Sequence, residues 1–82
     1  MEFTFDKVTN ALYIQFSREK VKDTEEIGEG IIVDYGENHI VIGIEILNYS
    51  QRNINLNEIF QLNAEEIIPM IVQWQYNLPN MH

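Results

Sequence analysis

Isoleucine recurs at every second position from Ile40 to Ile46, and this pattern constrains the fold more than any other feature of the chain. Successive side chains of a β-strand point to opposite faces, so a period of two places all four isoleucines on one face of a single strand. A helix would spread them around its circumference. We therefore expect a strand whose isoleucine face is buried in a hydrophobic core.

Alternation of apolar and polar residues also predicts strands nearer the N-terminus. Phe3 and Phe5 alternate with polar residues, and Leu12, Ile14 and Phe16 share a face after the turn-forming stretch DKVTN. These two segments are interpreted as antiparallel strands joined by a tight connection.

The stretch TEEIGEGIIVDY, residues 24–35, is interpreted as one long, bent strand in which Gly28 and Gly30 permit a bulge. It follows SREKVKD, which has no apolar period and is expected to be an exposed loop. Gly36 and Asn38 tolerate positive φ, so the stretch from residue 34 to residue 39 predicts a hairpin reversal before the isoleucine strand.

Beyond the isoleucine strand, the apolar period becomes that of a helix. The apolar residues at helical spacing are Ile67, Ile71, Trp74 and Leu78. Asn63 followed by Glu66 resembles a capping box, which predicts a helix from about Ala64 to Tyr76 with a bend near Pro69. The alternative is a helical turn over residues 57–62, a break, and a second helix with Pro69 in its first turn.

These elements predict a single α+β domain over residues 1–82. A four-stranded antiparallel β-meander would occupy residues 1–50, and the C-terminal helical segment, residues 51–82, would pack on one face of it. A chain of this size buries only about 60% of the surface that its unfolded form exposes. We therefore also expect a homodimer, formed through a sheet face, an edge strand or an exchanged helix.

The charge of the chain is strongly acidic, with 13 acidic and 5 basic residues and a net charge of -8. Such a charge repels phosphate backbones and anionic membrane surfaces, so we expect no direct nucleic-acid binding and no membrane association. We predict neither a signal peptide nor a membrane span, and we expect a cytoplasmic protein. The same charge favours encounter with a basic partner protein.

Few residue types in the chain point to catalysis. The absence of cysteine excludes disulfides, thiolate nucleophiles and sulfur-ligated metals. Neither His39 nor His82 lies beside a serine and an acid in a recognisable order, and the glycines of GEG lack the spacing of a phosphate-binding loop. The residues around Asp34 do not follow the calcium-loop pattern. We predict no catalytic residue, no metal site and no cofactor.

Three ordered motifs resemble a small prokaryotic family, the domain of unknown function 2283: FTFDKVTNALYIQFS, TEEIGEGIIVDY and VIGIEILNYS. The resemblance covers about residues 3–50. It implies a small, mainly antiparallel β domain and no established reaction. Relatives encoded beside compact toxin-like proteins imply an antitoxin or immunity role. The family motifs fall on Asp6, Asn10, Ala11, Leu12, Tyr13, Ile14, Glu26, Ile27, Gly28, Gly30, Asp34, Gly43, Ile44, Glu45 and Ile46.

We predict a non-catalytic protein-binding module that neutralises or regulates a basic partner. The residues expected to steer association are Glu25, Glu26, Glu29, Asp34, Glu37 and Glu45, and those expected to act as anchors are Tyr13 and Trp74. One alternative is a phage-type inhibitor whose acidic strands mimic nucleic acid. Another is a divalent-cation-dependent sensor or enzyme that uses Glu26, Asp34 and Glu45, because carboxylates on neighbouring strands can meet.

Overall fold

The computed structural model describes residues 1–52, 54, 57 and 66–69, and it contains an antiparallel sheet of five strands. In chain order the strands are β1 (Glu2–Asp6), β2 (Ala11–Gln15), β3 (Asp23–Gly28), β4 (Ile31–Tyr35) and β5 (Val41–Ile46). Their order across the sheet is β1-β2-β5-β4-β3, so β1 and β3 are the edges. The predicted antiparallel sheet is confirmed.

The predicted number of strands and their order were wrong. The sheet has five strands rather than four, and β5 lies between β2 and β4, so the strands do not follow one another as a meander. The isoleucine-rich strand thereby pairs on both of its edges. The most apolar strand takes the central position because burial there removes the most apolar surface from water.

Residues 24–35 belong to two strands and not to the single bent strand that was predicted. Gly30 closes the hairpin between β3 and β4 with a φ of 72°, a conformation that glycine adopts readily. The Glu26 carboxylate supports this turn, because it accepts a hydrogen bond of 3.0 Å from the Gly30 N–H. The expected bulge lies between Glu26 and Gly28. A glycine pair is compatible with a bulge or a reversal, and here it provides both.

Polar side chains and positive φ angles close the other two hairpins. The Asp6 carboxylate accepts a hydrogen bond of 2.9 Å from the Val8 N–H, and Asn10 has a φ of 56°. Between β4 and β5 the predicted reversal is confirmed as a 3₁₀ turn over Glu37–His39, in which Asn38 has a φ of 58°. Asparagine tolerates this left-handed conformation better than most residues do.

One side of the sheet forms the core and is called the apolar face below. Cross-strand pairing places Ile14 and Val33 on either side of Ile44, and Leu12 and Ile31 on either side of Ile46. All of these side chains are at most 3% exposed. Each fully buried side chain of this kind contributes about 1.5–3 kcal/mol.

The isoleucine pattern holds for three of its four members. Ile42, Ile44 and Ile46 lie in β5 and are buried. Ile40 precedes the strand and is 37% exposed, so its predicted place on the buried face was wrong. Its N–H bonds to the carbonyl oxygen of Glu37 within the preceding turn, which ends before the β5 ladder begins.

Ile67, from the short described stretch of residues 66–69, also packs on the apolar face. Residues Glu66–Pro69 are helical, and the Ile67 side chain is fully buried in the core cluster. Pro69 itself belongs to this helical stretch, whereas the predicted helix limits at Ala64 and Tyr76 lie outside the described residues. No helix in the described part of the chain is long and apolar enough to cross a membrane.

Side chains just after β5 hold the turns at one end of the sheet. Arg52 donates through Nε to the Leu47 carbonyl at 2.7 Å and through Nη2 to the Glu29 carbonyl at 2.6 Å. The Asn10 amide donates to the Ser50 hydroxyl at 2.9 Å, and the Ser50 N–H donates back to the Asn10 side-chain oxygen at 3.2 Å. These bonds connect two hairpin turns to the chain that leaves the central strand.

Candidate functional site

The side of the sheet opposite the core carries acidic and polar side chains in two rows. Directly paired residues on neighbouring strands share a face, so the strand register assigns them. The first row runs Thr4, Tyr13, Glu45, Ile32 and Glu26, and the second runs Glu2, Gln15, Gly43, Asp34 and Thr24. These ten residues are called the acidic face.

The strands hold charge of one sign. Seven acidic residues and no lysine or arginine lie in β1 to β5. Four of the seven belong to the acidic face: Glu2, Glu26, Asp34 and Glu45. The basic residues lie in turns and loops and beyond β5, at Lys7, Arg18, Lys20, Lys22 and Arg52. Arg18 pairs with Glu2 at 3.0 Å, and both side chains are largely exposed.

Tyr13 lies across Gly43 at the middle of the acidic face. A Cβ atom at position 43 would overlap the Tyr13 hydroxyl oxygen and ring, so only glycine leaves room for the tyrosine. The hydroxyl group donates a hydrogen bond of 2.9 Å to one Asp34 oxygen. The other Asp34 oxygen accepts a bond of 2.8 Å from the Thr24 hydroxyl. The side chains of β2, β3 and β4 are thus connected across the strand that separates β2 from β4.

This arrangement keeps the Tyr13 phenol neutral. Burial, the hydrogen bond to Asp34 and the negative charges of Asp34 and Glu45 raise the pKa of Tyr13 from 10.0 to about 12. A phenol with so high a pKa holds its proton at neutral pH and acts as a hydrogen-bond donor. Tyr13 is therefore suited to positioning Asp34, and not to work as a general base.

Ile32 provides apolar surface between two carboxylates of the first row. It is half-buried and is paired with Glu45 on one side and Glu26 on the other. Since neighbouring strands lie about 4.8 Å apart, the backbone positions of the two glutamates are about 10 Å apart. A long cationic side chain can lay its methylene groups on such an apolar surface while its charge approaches a carboxylate.

The structure brings together four of the predicted site residues, Tyr13, Glu26, Asp34 and Glu45, on the acidic face. Glu25 pairs with Val33 and therefore lies on the side of the apolar face, where it is exposed. There, burial first and then the charges of Glu25 and Asp23 raise the pKa of Tyr35.

The other predicted site residues lie apart from this group. Glu29 lies in the turn between β3 and β4. Glu37 lies in the 3₁₀ turn and pairs with Lys22 at 3.8 Å. Trp74 lies outside the described residues.

Sequence reasoning missed several members of the acidic face, namely Glu2, Thr4, Gln15, Thr24 and Ile32. Alternation within β1 and β2 marked the first three as pointing away from the core. Their position beside Asp34 and Glu45 depends on the pairing of β2 with β5, which no local pattern reveals. Ile32 was not singled out because it stands in an apolar run, between the buried residues Ile31 and Val33.

Two of the three residues of the cation hypothesis, Asp34 and Glu26, are engaged in separate contacts within the chain. Both Asp34 oxygens accept hydrogen bonds from side chains, and Glu26 accepts one from the Gly30 N–H. Within residues 1–52, 54, 57 and 66–69, no group of three or more histidine, cysteine, aspartate or glutamate side chains is placed to hold a metal ion.

The chain matches the model of a known protein family. The model of the family described as "Protein of unknown function (DUF2283)" matches residues 2–50, which include all five strands. No curated protein and no solved structure matches the chain. Several of the positions that carry the family motifs have structural roles here, since Asp6, Asn10 and Gly30 lie at turns and Gly43 admits the Tyr13 ring.

Proposed function

This chain belongs to the DUF2283 family of unknown function, and we propose that it is a non-catalytic module that binds a basic partner protein through the acidic face. Binding would neutralise or regulate the partner, as an antitoxin or immunity protein does. The observation that carries the proposal is the charge of the acidic face, whose ten residues include four carboxylates and no lysine or arginine. The cytoplasmic location expected from the sequence is part of this proposal.

Electrostatics supports a basic partner. A net charge of -8 on a chain of 82 residues attracts cationic surfaces over a distance comparable to the Debye length, about 8 Å at physiological salt. Complementary charge mainly accelerates association and selects the partner, while apolar contact sets the lifetime of the complex. We therefore expect binding whose association rate falls steeply as salt is added.

The chemistry of the acidic face supports binding rather than a reaction. Its phenol is neutral and donates to Asp34, and the carboxylates of Glu26 and Asp34 hold internal hydrogen bonds. Ile32 and the Tyr13 ring offer apolar contact beside these carboxylates. Aromatic and apolar groups surrounded by polar ones are the usual composition of a binding hot spot.

Capture of partner proteins from the host tests the proposal with two matched double variants. Glu26→Gln with Glu45→Gln removes two charges from the acidic face, and the glutamine at position 26 keeps an acceptor for the Gly30 N–H. Glu19→Gln with Glu37→Gln removes the same charge from two exposed loop positions. We expect the first pair to lose the partner and the second pair to retain it.

The outcomes separate this function from its alternatives. Equal capture by both double variants, or no partner captured by the unaltered chain, contradicts binding through the acidic face. Displacement of the captured protein by DNA or RNA would instead support the phage-type inhibitor that mimics nucleic acid. A rise in melting temperature with excess calcium, magnesium or manganese would support the cation-dependent sensor, because a ligand of the native state stabilises it.

A further inference from the structure

The outer edge of β3 is open to a further strand. β3 is the outermost strand on its side of the sheet, and no other strand of the described residues pairs with its outer side. Its first four residues, 23–26, are all exposed. An open edge of this kind presents backbone N–H and C=O groups that can form a ladder with an extended segment of another protein.

Two backbone hydrogen bonds show in which direction the residues of β4 turn their backbone groups. Gly30, just before β4, accepts a bond of 2.8 Å from the Leu47 N–H and so faces β5. Tyr35, at the other end, accepts a bond of 2.7 Å from the Lys22 N–H and so faces the β3 side. In an antiparallel ladder, successive residues direct these groups to opposite edges of their strand. Counted from either end, Val33 therefore faces β3.

The same alternation identifies the residues of β3 that face outward. Glu25 is paired with Val33 and therefore faces β4. Its neighbours Thr24 and Glu26 consequently direct their backbone groups away from the sheet. The Thr24 N–H is already bonded at 2.9 Å to a side-chain oxygen of Asp23. The groups that an added strand can reach are thus the Thr24 carbonyl and the N–H and carbonyl of Glu26.

Carboxylates flank this edge on both sides of the sheet. Asp23 and Glu25 lie on the side of the apolar face, and Glu26 belongs to the acidic face. A second copy of β3 would oppose these charges to each other, because a two-fold axis at Thr24 sets Asp23 against Glu25, and an axis at Glu25 or Glu26 sets that residue against itself. Directly opposed like charges destabilise a strand pair, whereas opposite charges stabilise it. The edge therefore discriminates against its own copy and suits a basic strand.

We propose that the basic partner adds an extended segment to the sheet along the outer edge of β3, with lysine or arginine at every second position of that segment. Every second residue of an added strand lies on one face, so two such residues meet Asp23 and Glu25 in turn. The residues between them lie on the other side, next to the acidic face, so the partner contacts both surfaces at once. This inference rests on the proposed function, because it specifies how a basic partner of that kind is held.

The contact ends where β3 bends. The bulge between Glu26 and Gly28 shifts the register, which limits a regular ladder to residues 23–26. So short a strand buries less than the roughly 1,200 Å² of a standard stable interface. An isolated segment is therefore expected to bind weakly, and the acidic face supplies the rest of the affinity for the whole partner.

Amide hydrogen exchange tests the ladder with an eight-residue peptide of alternating lysine and threonine, blocked at both ends. When nine tenths of the chain is bound at low salt, the Glu26 N–H should exchange about 10-fold more slowly, because it exchanges only while the segment is released. A peptide with proline in place of each threonine keeps the charges and their spacing but cannot form a regular ladder. At the same bound fraction it should leave the exchange of the Glu26 N–H unchanged.

Two double variants test the spacing of the charges. Asp23→Asn with Glu25→Gln removes two carboxylates that do not belong to the acidic face, and the asparagine keeps an acceptor for the Thr24 N–H. Glu19→Gln with Glu37→Gln removes the same charge from two exposed loop positions. We expect the dissociation constant of the lysine–threonine peptide to be roughly 3- to 10-fold higher for the first double variant than for the second.

The outcomes separate strand addition from the proposed function. Slower exchange at Glu26 with the lysine–threonine peptide alone, together with weaker binding by the variant of Asp23 and Glu25, supports strand addition. Absence of peptide binding, binding without slower exchange at Glu26, or equal binding by the two double variants overturns it. The last two results leave the proposed function standing, because a basic partner can still bind on the acidic face alone. If the peptide protects the Glu26 N–H but no partner is captured from the host, the edge binds basic strands and the proposed function is contradicted.

Discussion

The apolar and acidic faces are built from the same five strands, yet they differ in what holds their side chains in place. On the apolar face the strand residues of the core cluster are at most 3% exposed and are joined by Ile67. On the acidic face every side chain is half-buried or exposed. One face therefore forms the hydrophobic core, and the other keeps its side chains at least partly accessible to solvent.

The acidic face nevertheless has one position at which a side chain packs closely against the backbone. Tyr13 over Gly43, with its hydroxyl group on Asp34, is the place where this face constrains its own side chains. Under the proposed function, such a fixed position lowers the entropy that the acidic face loses when a partner binds. Substitutions on the apolar face should therefore change the free energy of unfolding more than substitutions on the acidic face, which mainly change how its side chains are held in place.

The largest difference is expected between two isoleucines on opposite faces. Ile44→Ala leaves a cavity at the centre of the core and should lower the free energy of unfolding by about 2–5 kcal/mol. Ile32→Ala should cost less, because Ile32 remains partly exposed. Chemical denaturation measures both, and Ile44→Val, with a loss of about 0.5–1.5 kcal/mol, serves if the alanine variant does not fold. Equal losses at the two sites would contradict the division between the faces.

The contact between Tyr13 and Gly43 on the acidic face should show the next largest effect on the free energy of unfolding. Gly43→Ala forces the Tyr13 ring away from the strand and should cost about 1–3 kcal/mol in unfolding free energy. If the overlap with Tyr13 is the cause, the same substitution should cost much less in a Tyr13→Ala background. An undiminished cost in the double variant would mean that the backbone, and not the tyrosine, requires glycine at this position.

Removal of the phenol oxygen alone should have a smaller effect. Tyr13→Phe keeps the ring over Gly43 but loses the hydrogen bond to Asp34, which should lower stability by about 1 kcal/mol. Thr24→Val removes the second hydrogen bond to the same carboxylate and provides a comparison. If neither variant changes the unfolding free energy, Asp34 is not positioned by these bonds.

Alkaline pH tests the environment of the same phenol in a second way. The pKa of Tyr13 is raised from 10.0 to about 12 in the folded protein, so the folded state holds this proton more tightly than the unfolded state does. The resulting stabilisation is complete below pH 10 and is lost as the pH rises through about 12. Denaturation across this range should show a smaller loss of stability for Tyr13→Phe than for the unaltered chain. If both proteins lose stability in parallel as the pH rises, the raised pKa of Tyr13 is not the cause of the loss.

Much of the apolar face could be predicted from the sequence because it depends on local alternation. Leu12 and Ile14 on β2, and Ile44 and Ile46 on β5, were placed correctly by a period of two. The reversal at residues 34–39 was also predictable, since glycine and asparagine have specific turn geometry. These features depend on residues close together in the chain.

The acidic face could be predicted only in part because it depends on which strands are neighbours. The interpretation of residues 24–35 as one strand left out the hairpin between β3 and β4. The error arose because glycine is compatible with a bulge as well as with a turn. Without that hairpin and the pairing of β2 with β5, the contact between Tyr13, Gly43 and Asp34 was not foreseeable. Long-range pairing of this kind has no signature in a short window of sequence.

Isoleucine methyl signals in NMR spectra offer the most direct test that recognition and folding occupy opposite faces. In a titration with a short oligolysine peptide at low salt, we expect the Ile32 methyl signals and the Tyr13 ring signals to shift. The signals of Ile14 and Ile44, on the apolar face, should stay in place. Shifts at Ile14 and Ile44, or no shift at Ile32 when the peptide binds, would contradict recognition through the acidic face.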